Sequence, residues 1–193
     1  MSKNYDNIRV YGDLESEVYL GPKGTVLPDG TTLDPTSLDP ALEAMGWLSE
    51  DGVSLAVEAN SEKFRGWQGG SVLRTKVTTT DKTITMQALE ETPGVTELYF
   101  DHGAVEYSGI GAAAIARVDL PESIGTVERA GVFRFVDDDV EKWLVCPLVQ
   151  VTGRGTVAHQ NTSMTIYEFT LEIIGPAYLL TNAPAFIEGA PQA

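Results

Sequence analysis

Apolar and polar residues alternate along several stretches of the chain, which is typical of half-buried β-strands because successive side chains point to opposite faces. The clearest case lies within Ser163–Ile173. One face carries Tyr167, Phe169, Leu171 and Ile173, and the other carries Glu168, Thr170 and Glu172. We assign the first set to the hydrophobic core and expect the second set to face away from it.

Four more stretches have strand patterns: Val72–Thr79, Thr83–Leu89, Gly131–Val136 and Lys142–Val151. We expect the first two to pair through a tight turn at residues 80–82, and the last two through the acidic turn at residues 137–139. A Gly153–Gly155 turn then leads to the last strand, and Ala112–Leu120 is a candidate for a further strand. Six or more strands in mostly sequential order predict a mainly β fold, an antiparallel sandwich or barrel.

Helical signals are sparse. Thr92 followed by Pro93 predicts a capped start for one short helix that ends near Phe100, and Asp39–Gly46 is expected to form a turn or two of helix. The Gly- and Pro-rich segment 21–39 is predicted to be a long loop. We expect one domain over residues 16–176, with an N-terminal arm at 1–15 and a C-terminal arm at 177–193.

Charge and composition exclude several functions. The net charge is −15, and acidic residues outnumber basic ones in both halves of the chain, so we expect the protein not to grip a phosphate backbone. No apolar run has the ~18 residues that a membrane span needs, and the polar start does not resemble a secretory signal. We therefore expect synthesis in the cytoplasm and no insertion into a membrane.

Motifs for catalysis are weak or missing. The only cysteine, Cys146, lies in an apolar run and is expected to be a buried hydrophobe, and two histidines are too few to suggest a zinc site. The G-x-G-x-x-A pattern at Gly109–Ala114 lacks the surrounding βαβ pattern of a dinucleotide site, so a loop into a strand is favoured. We expect no enzyme activity, no catalytic residues, no cofactor and no metal.

Five segments together resemble the major tail tube proteins of siphophages, the phages with long non-contractile tails, and especially those of actinobacterial hosts. In order along the chain they are Met45–Val53, Trp67–Gly70, Val72–Thr75, Leu89–Thr92 and Glu97–Tyr99. The resemblance covers most of residues 16–176.

The resemblance implies a β-sandwich with a flanking helix that assembles into hexameric rings. The rings would stack into a tube in the virion tail, filled first by a tape-measure protein and closed by tail-tip and tail-terminator proteins. DNA would pass through at infection without specific binding. Glu168, Thr170 and Glu172 then face either the lumen or solvent. Trp67, Gln68, Gly69 and Gly70 are candidates for an inter-ring loop, the alternative being a plain turn with Trp67 in the core.

Two other functions stay open at this point. The chain could be the tube subunit of a contractile tail or of an injection or secretion system, which shares the fold. It could also be a soluble β-sandwich module that decorates a capsid or binds a ligand, in which case a stable monomer or small oligomer is expected.

Overall fold

The computed structural model describes residues 5–188, which form ten strands and two α-helices together with short 3-10 turns. The strands are β1 Glu17–Pro22, β2 Glu43–Ala44, β3 Leu48–Arg65, β4 Val72–Ala88, β5 Glu106–Ser108, β6 Ile115–Arg117, β7 Glu128–Asp137, β8 Val140–Arg154, β9 Tyr167–Ile173 and β10 Tyr178–Thr181. The helices are α1 Pro93–Phe100 and α2 Pro184–Ile187. The prediction of a mainly β chain is confirmed.

Eight strands form one antiparallel sheet in the order β2-β1-β7-β8-β9-β4-β3, with β10 paired to β8. Strand β8 is long enough to pair with β10 near its start and with β9 near its end. Strands β5 and β6 form a separate small sheet. The large sheet stays open, since β3 pairs only with β4 among the described strands.

The main hydrophobic core lies between α1 and one face of the sheet. Its largest fully buried side chains include Phe133, Phe169 and Ile84. A second cluster surrounds Trp143 on the opposite face of β7 and β8, and the Trp143 indole N–H donates to Glu141 at 2.7 Å. The centre of the sheet is therefore buried on both faces, with each large apolar side chain contributing about 1.5–3 kcal/mol.

Helix α1 begins as the sequence predicts. Thr92 is the N-cap, its hydroxyl accepts a hydrogen bond from the Val95 N–H at 3.3 Å, and Pro93 occupies the first turn. Asp101 ends the helix in a left-handed conformation with φ of 55°. Val95 and Leu98 are buried in the main core, so α1 is anchored to the sheet by its apolar side.

The predicted turn at residues 80–82 is wrong, because β4 is one continuous strand. Thr80 and Lys82 pair with Ala59 and Val57 of β3, which is the true hairpin partner. The Thr-Asp-Lys sequence favours a turn only weakly, and it fits equally well in a strand that is exposed to solvent.

The predicted helix at Asp39–Gly46 is also wrong. The Asp39 carboxylate accepts a hydrogen bond from the Ala41 N–H at 2.9 Å, which forms a turn, and the chain then enters β2. The predicted turn at Gly153–Gly155 instead falls at the end of β8. A Cβ added at Gly155 would lie 2.7 Å from Cβ of Glu168, so this glycine permits close strand packing.

The predicted long loop is present after β1, but leucines attach it to the body. Leu27, Leu33 and Leu38 pack against the cluster around Trp143. Asp29 and Asp34 accept hydrogen bonds from residues two positions ahead and so shape local turns. The loop therefore covers one face of the sheet.

Residues 5–15 lie along β7, where the Gly12 and Asp13 N–H groups donate to the Val136 carbonyl. Near the other end, β10 joins the sheet beyond the boundary expected at residue 176. The outer parts of the two predicted arms, residues 1–4 and 189–193, lie outside the described residues.

Candidate assembly surfaces

The polar face of β9 is continuous with polar positions on its neighbours. Glu168, Thr170 and Glu172 are half-buried and alternate with the core residues Tyr167, Phe169, Leu171 and Ile173. Across from them on the same face lie Gln87, Thr85 and Thr83 of β4, and Gln150 of β8. This patch carries two carboxylates and no basic side chain, so it presents a negative potential.

Strands β3 and β4 project beyond the body as a two-stranded hairpin, residues 55–80, which we call the ribbon. Residues 55–65 and 72–80 are exposed on both faces. At roughly 3.3 Å per residue, ten residues extend the ribbon by about 33 Å. A two-stranded hairpin without a core is marginally stable in water, so the ribbon lacks the packing that a strand of this length needs.

Apolar side chains on the ribbon remain in water in the single chain. Leu55, Val57 and Val77 are 50–60% exposed, and Leu73 is 73% exposed. Leu55 pairs with Ile84, which is fully buried. The apolar face of the ribbon is therefore the direct continuation of the core face of the sheet.

The predicted loop Trp67–Gly70 lies at the tip of the ribbon. Trp67 is 93% exposed, so the alternative that places it in the core is wrong. Gly69 and Gly70 have φ of 72° and 65°, values that favour glycine. The Arg65 guanidinium donates to the Gly70 carbonyl at 3.0 Å and helps to fix the turn.

Residues 103–126 form a second exposed excursion that contains β5 and β6. Tyr107, Ile110 and Ile115 are 66–92% exposed. The Gly109–Ala114 motif makes one 3-10 turn between the two strands, whereas a dinucleotide site needs a helix there. Like the ribbon, this segment exposes apolar surface that no other part of residues 5–188 covers.

A groove of about 790 Å³ lies where the N-terminal segment, β1 and the start of β3 meet. Glu17 accepts a hydrogen bond from the Gly46 N–H at 3.1 Å, and burial raises the pKa of its carboxyl. Glu90 accepts one from the Trp47 N–H at 2.9 Å. Glu50 and Asp51 are exposed on an irregular stretch at the start of β3 and make no ion pair among residues 5–188.

Arg134, at the edge of this groove, is held by the body. Its guanidinium donates two hydrogen bonds to the Glu141 carboxylate at 2.9 and 3.0 Å. These bonds lower the pKa of Glu141 and raise that of Arg134. The pair links β7 to β8. Because Arg134 binds Glu141, it does not pair with Glu50 or Asp51.

Within the part of the chain that the structure describes, no three His, Cys, Asp or Glu side chains are grouped to hold a metal ion. Burial raises the pKa of the Cys146 thiol to about 12, which agrees with its prediction as a buried hydrophobe. None of the described helices is both long and apolar enough to span a membrane.

The sequence of nearly the whole chain is similar to one protein family. Residues 1–185 match the family described as Phage tail tube protein. No curated protein sequence matches the chain.

Two solved structures are similar in shape at low identity. A chain from the virion of a native gene transfer agent particle is 14% identical, with a TM-score of 0.40, covering 74% of this chain and 91% of its own. A chain from the tail of an empty gene transfer agent particle, computed with helical refinement and C6 symmetry, is 10% identical, with a TM-score of 0.40, covering 92% and 98%. The family match extends over nearly all of the sequence, so the chain belongs to the phage tail tube protein family and is a structural subunit of a virion tail.

Proposed function

We propose that the chain assembles into hexameric rings that stack into the tube of a long non-contractile tail, through which DNA is delivered. The observation that carries this proposal is the open sheet, since β3 has 18 residues and pairs only with β4 among the strands that the structure describes. A long unpaired edge invites uncontrolled pairing with other chains unless a partner covers it. A repeated heterologous contact that closes into a ring would cover it in every copy.

The polar patch on β9 suits a surface along which DNA slides. Glu168 and Glu172 supply negative charge, and the neighbouring Thr and Gln side chains are neutral. Binding to DNA without sequence specificity depends on basic residues that release counterions, so a patch of this composition would not retain the strand. We therefore propose that Glu168, Thr170 and Glu172 line the lumen.

The chain is proposed to act without catalysis and to leave other tasks to partners. A tape-measure protein would occupy the lumen before DNA enters, and tip and terminator proteins would close the two ends. The domain at residues 16–176, with an arm on either side, is part of the same proposal. The loop Trp67–Gly70 would contact the next ring.

Electron microscopy of the purified, concentrated protein in negative stain tests the assembly, with and without a tail-tip complex as a seed. Rings with six-fold averages, or hollow tubes built from them, are the expected result. A uniform monomer in both conditions would contradict the proposal and favour a soluble β-sandwich module.

A further inference from the structure

The ribbon tip is basic although the protein as a whole is strongly acidic. Residues 61–76 hold four of the 13 Lys and Arg residues, Lys63, Arg65, Arg74 and Lys76, and one acidic residue, Glu62. None of the four basic side chains forms an ion pair among residues 5–188. The tip therefore carries a local charge of +3 next to Trp67, the most exposed large hydrophobic residue of the described chain.

The groove at the start of β3 has the opposite character. Its walls carry five carboxylates and two basic side chains, and both basic ones already have contacts in the body. Arg134 binds Glu141, and the Lys142 ammonium lies 5.2 Å from the centre of the Tyr11 ring. The groove also contains apolar surface, with Trp47 64% exposed and Leu55 50% exposed.

The tip and the groove of one chain do not meet. They lie at opposite ends of β3, separated by the run from Val53 to Arg65, which spans about 40 Å at ~3.3 Å per residue. A paired β-ribbon does not fold back on itself over that length. Complementary surfaces at the two ends of one extended hairpin can therefore meet only between copies, in a head-to-tail contact that repeats.

We propose that the basic ribbon tip of one subunit docks in the acidic groove of a second copy of this chain in the next ring. This proposal rests on the proposed tube, and it identifies the ribbon tip and the groove as the two surfaces that meet where rings stack. The Arg65 and Arg74 guanidinium groups face Glu50 and Asp51, and Trp67 covers the apolar floor beside Trp47.

A charge-swap mixing experiment tests the contact in the full-length protein. The tip variant is Arg65→Glu/Arg74→Glu, and the groove variant is Glu50→Lys/Asp51→Lys. Alone, each variant sets like charges against each other across the contact, so its critical concentration for tube formation should rise at least about tenfold. A 1:1 mixture pairs acidic tips with basic grooves and basic tips with acidic grooves, and should form tubes near the wild-type concentration.

The control for net charge is Gln160→Glu/Asn161→Asp/Thr162→Glu/Ser163→Glu, which lowers the net charge by four, as the tip variant does. These four side chains are exposed and lie outside the tip and the groove. This control should assemble as the wild type does. If the two charge-swap variants each form tubes normally alone, or if their mixture gains nothing, the docking contact is wrong while the tube proposal stands. Wild type that forms no rings or tubes with a seed overturns both.

A cross-link gives a second readout that does not depend on charge. Gln68→Cys with Asp51→Cys places one thiol at the tip and one at the groove, and the native Cys146 is buried with a raised pKa. Oxidation of the assembled double variant should give a ladder of covalent oligomers in denaturing gels. Each single variant should give dimers at most. A double variant that stops at dimers would overturn the proposed contact.

Discussion

The two halves of strand β4 differ in burial. One half belongs to the folded body, and the other belongs to the ribbon that we propose for assembly. From Lys82 to Ala88 it alternates between buried and half-buried positions, with Ile84 and Met86 in the core. From Val72 to Asp81 every position is exposed, yet hydrogen bonding to β3 continues almost without a break. The backbone pairing is the same in both halves, but only Lys82–Ala88 has a core to pack against.

The comparison shows that backbone pairing and stability are distinct properties. The body strands hold their shape through burial, which is the dominant favourable contribution to folding. The ribbon has backbone hydrogen bonds, whose net contribution is small, and little burial. A long exposed hairpin of this kind is a liability in a monomer, so its apolar and basic side chains are best explained by contacts with other copies.

The largest expected difference between the body and the ribbon is in the effect of replacing a phenylalanine on the free energy of unfolding. Phe169 is fully buried on β9 and Phe64 is 46% exposed on the ribbon. Phe169→Ala should lower the free energy of unfolding by about 3–5 kcal/mol, because it leaves a cavity in the core. Phe64→Ala should change it by less than about 0.5 kcal/mol. Urea unfolding of both variants as free subunits checks this, and equal losses would contradict the division between body and ribbon.

Trp67→Ala should separate assembly from stability. Because Trp67 is 93% exposed in the single chain, its loss should leave the urea midpoint within experimental error. Aromatic anchors at interfaces often contribute about 2 kcal/mol or more, so the critical concentration for tube formation should rise about 30-fold or more. Sedimentation of assembled tubes measures this rise. Unchanged assembly would remove the tip from the stacking contact.

Arg134, which pairs with Glu141, and Arg74, which has no ion pair among the described residues, should differ in their contribution to stability. This difference is smaller and depends on pH. Glu141→Gln should destabilise the subunit by about 1–2 kcal/mol at neutral pH, since it removes a charge-assisted pair. The pKa of Glu141 is lowered in the folded state, so this stability is present above its ordinary pKa and is lost as the pH falls through the lowered value. Unfolding curves of wild type and variant should therefore converge on acidification.

Arg74→Gln on the ribbon is the control for that series, because Arg74 has no ion pair among the described residues. It should leave unfolding unchanged at each pH. A loss of stability that matches Glu141→Gln would mean that the ribbon is held by the body through contacts the structure does not contain.

Salt should have the smallest effect. It should weaken tube formation through the contact between tip and groove and leave the stability of the body unchanged. Raising the ionic strength from about 0.05 to 0.5 M shortens the screening length to a few ångströms. Tube formation should then weaken by a few-fold, because the tip and the groove meet through exposed charges. The urea midpoint of the free subunit should hardly move. Light scattering and unfolding across the same salt series measure both, and tubes that strengthen with salt would contradict a contact dominated by opposite charges.

The sequence predicts the body well because burial leaves a periodic signal. The alternation at Tyr167–Ile173 matches β9, and Thr92-Pro93 matches the start of α1. The ribbon is harder to predict, since an exposed strand has no reason to alternate, and the polar residues 80–82 therefore suggest a turn. The signal that remained was compositional, namely four basic residues within a short stretch of an acidic chain.

The groove could not be predicted from sequence at all. Glu17, Glu50 and Glu90 come from three separate segments, and they meet only because β1, β3 and the end of β4 converge. Likewise, the pattern in the sequence shows that Glu168, Thr170 and Glu172 share one face, but not what lies in front of that face. That depends on the neighbouring copies and not on the chain alone.

Hydrogen–deuterium exchange of the free subunit and of assembled tubes tests the central claim most directly, because it follows the body and the ribbon in one sample. Amides of β7, β8 and β9 should be protected in both states. Amides of residues 55–80 should exchange fast in the free subunit, where local opening requires little free energy, and slowly in the tube. Fast exchange of the ribbon in both states would contradict its role in assembly.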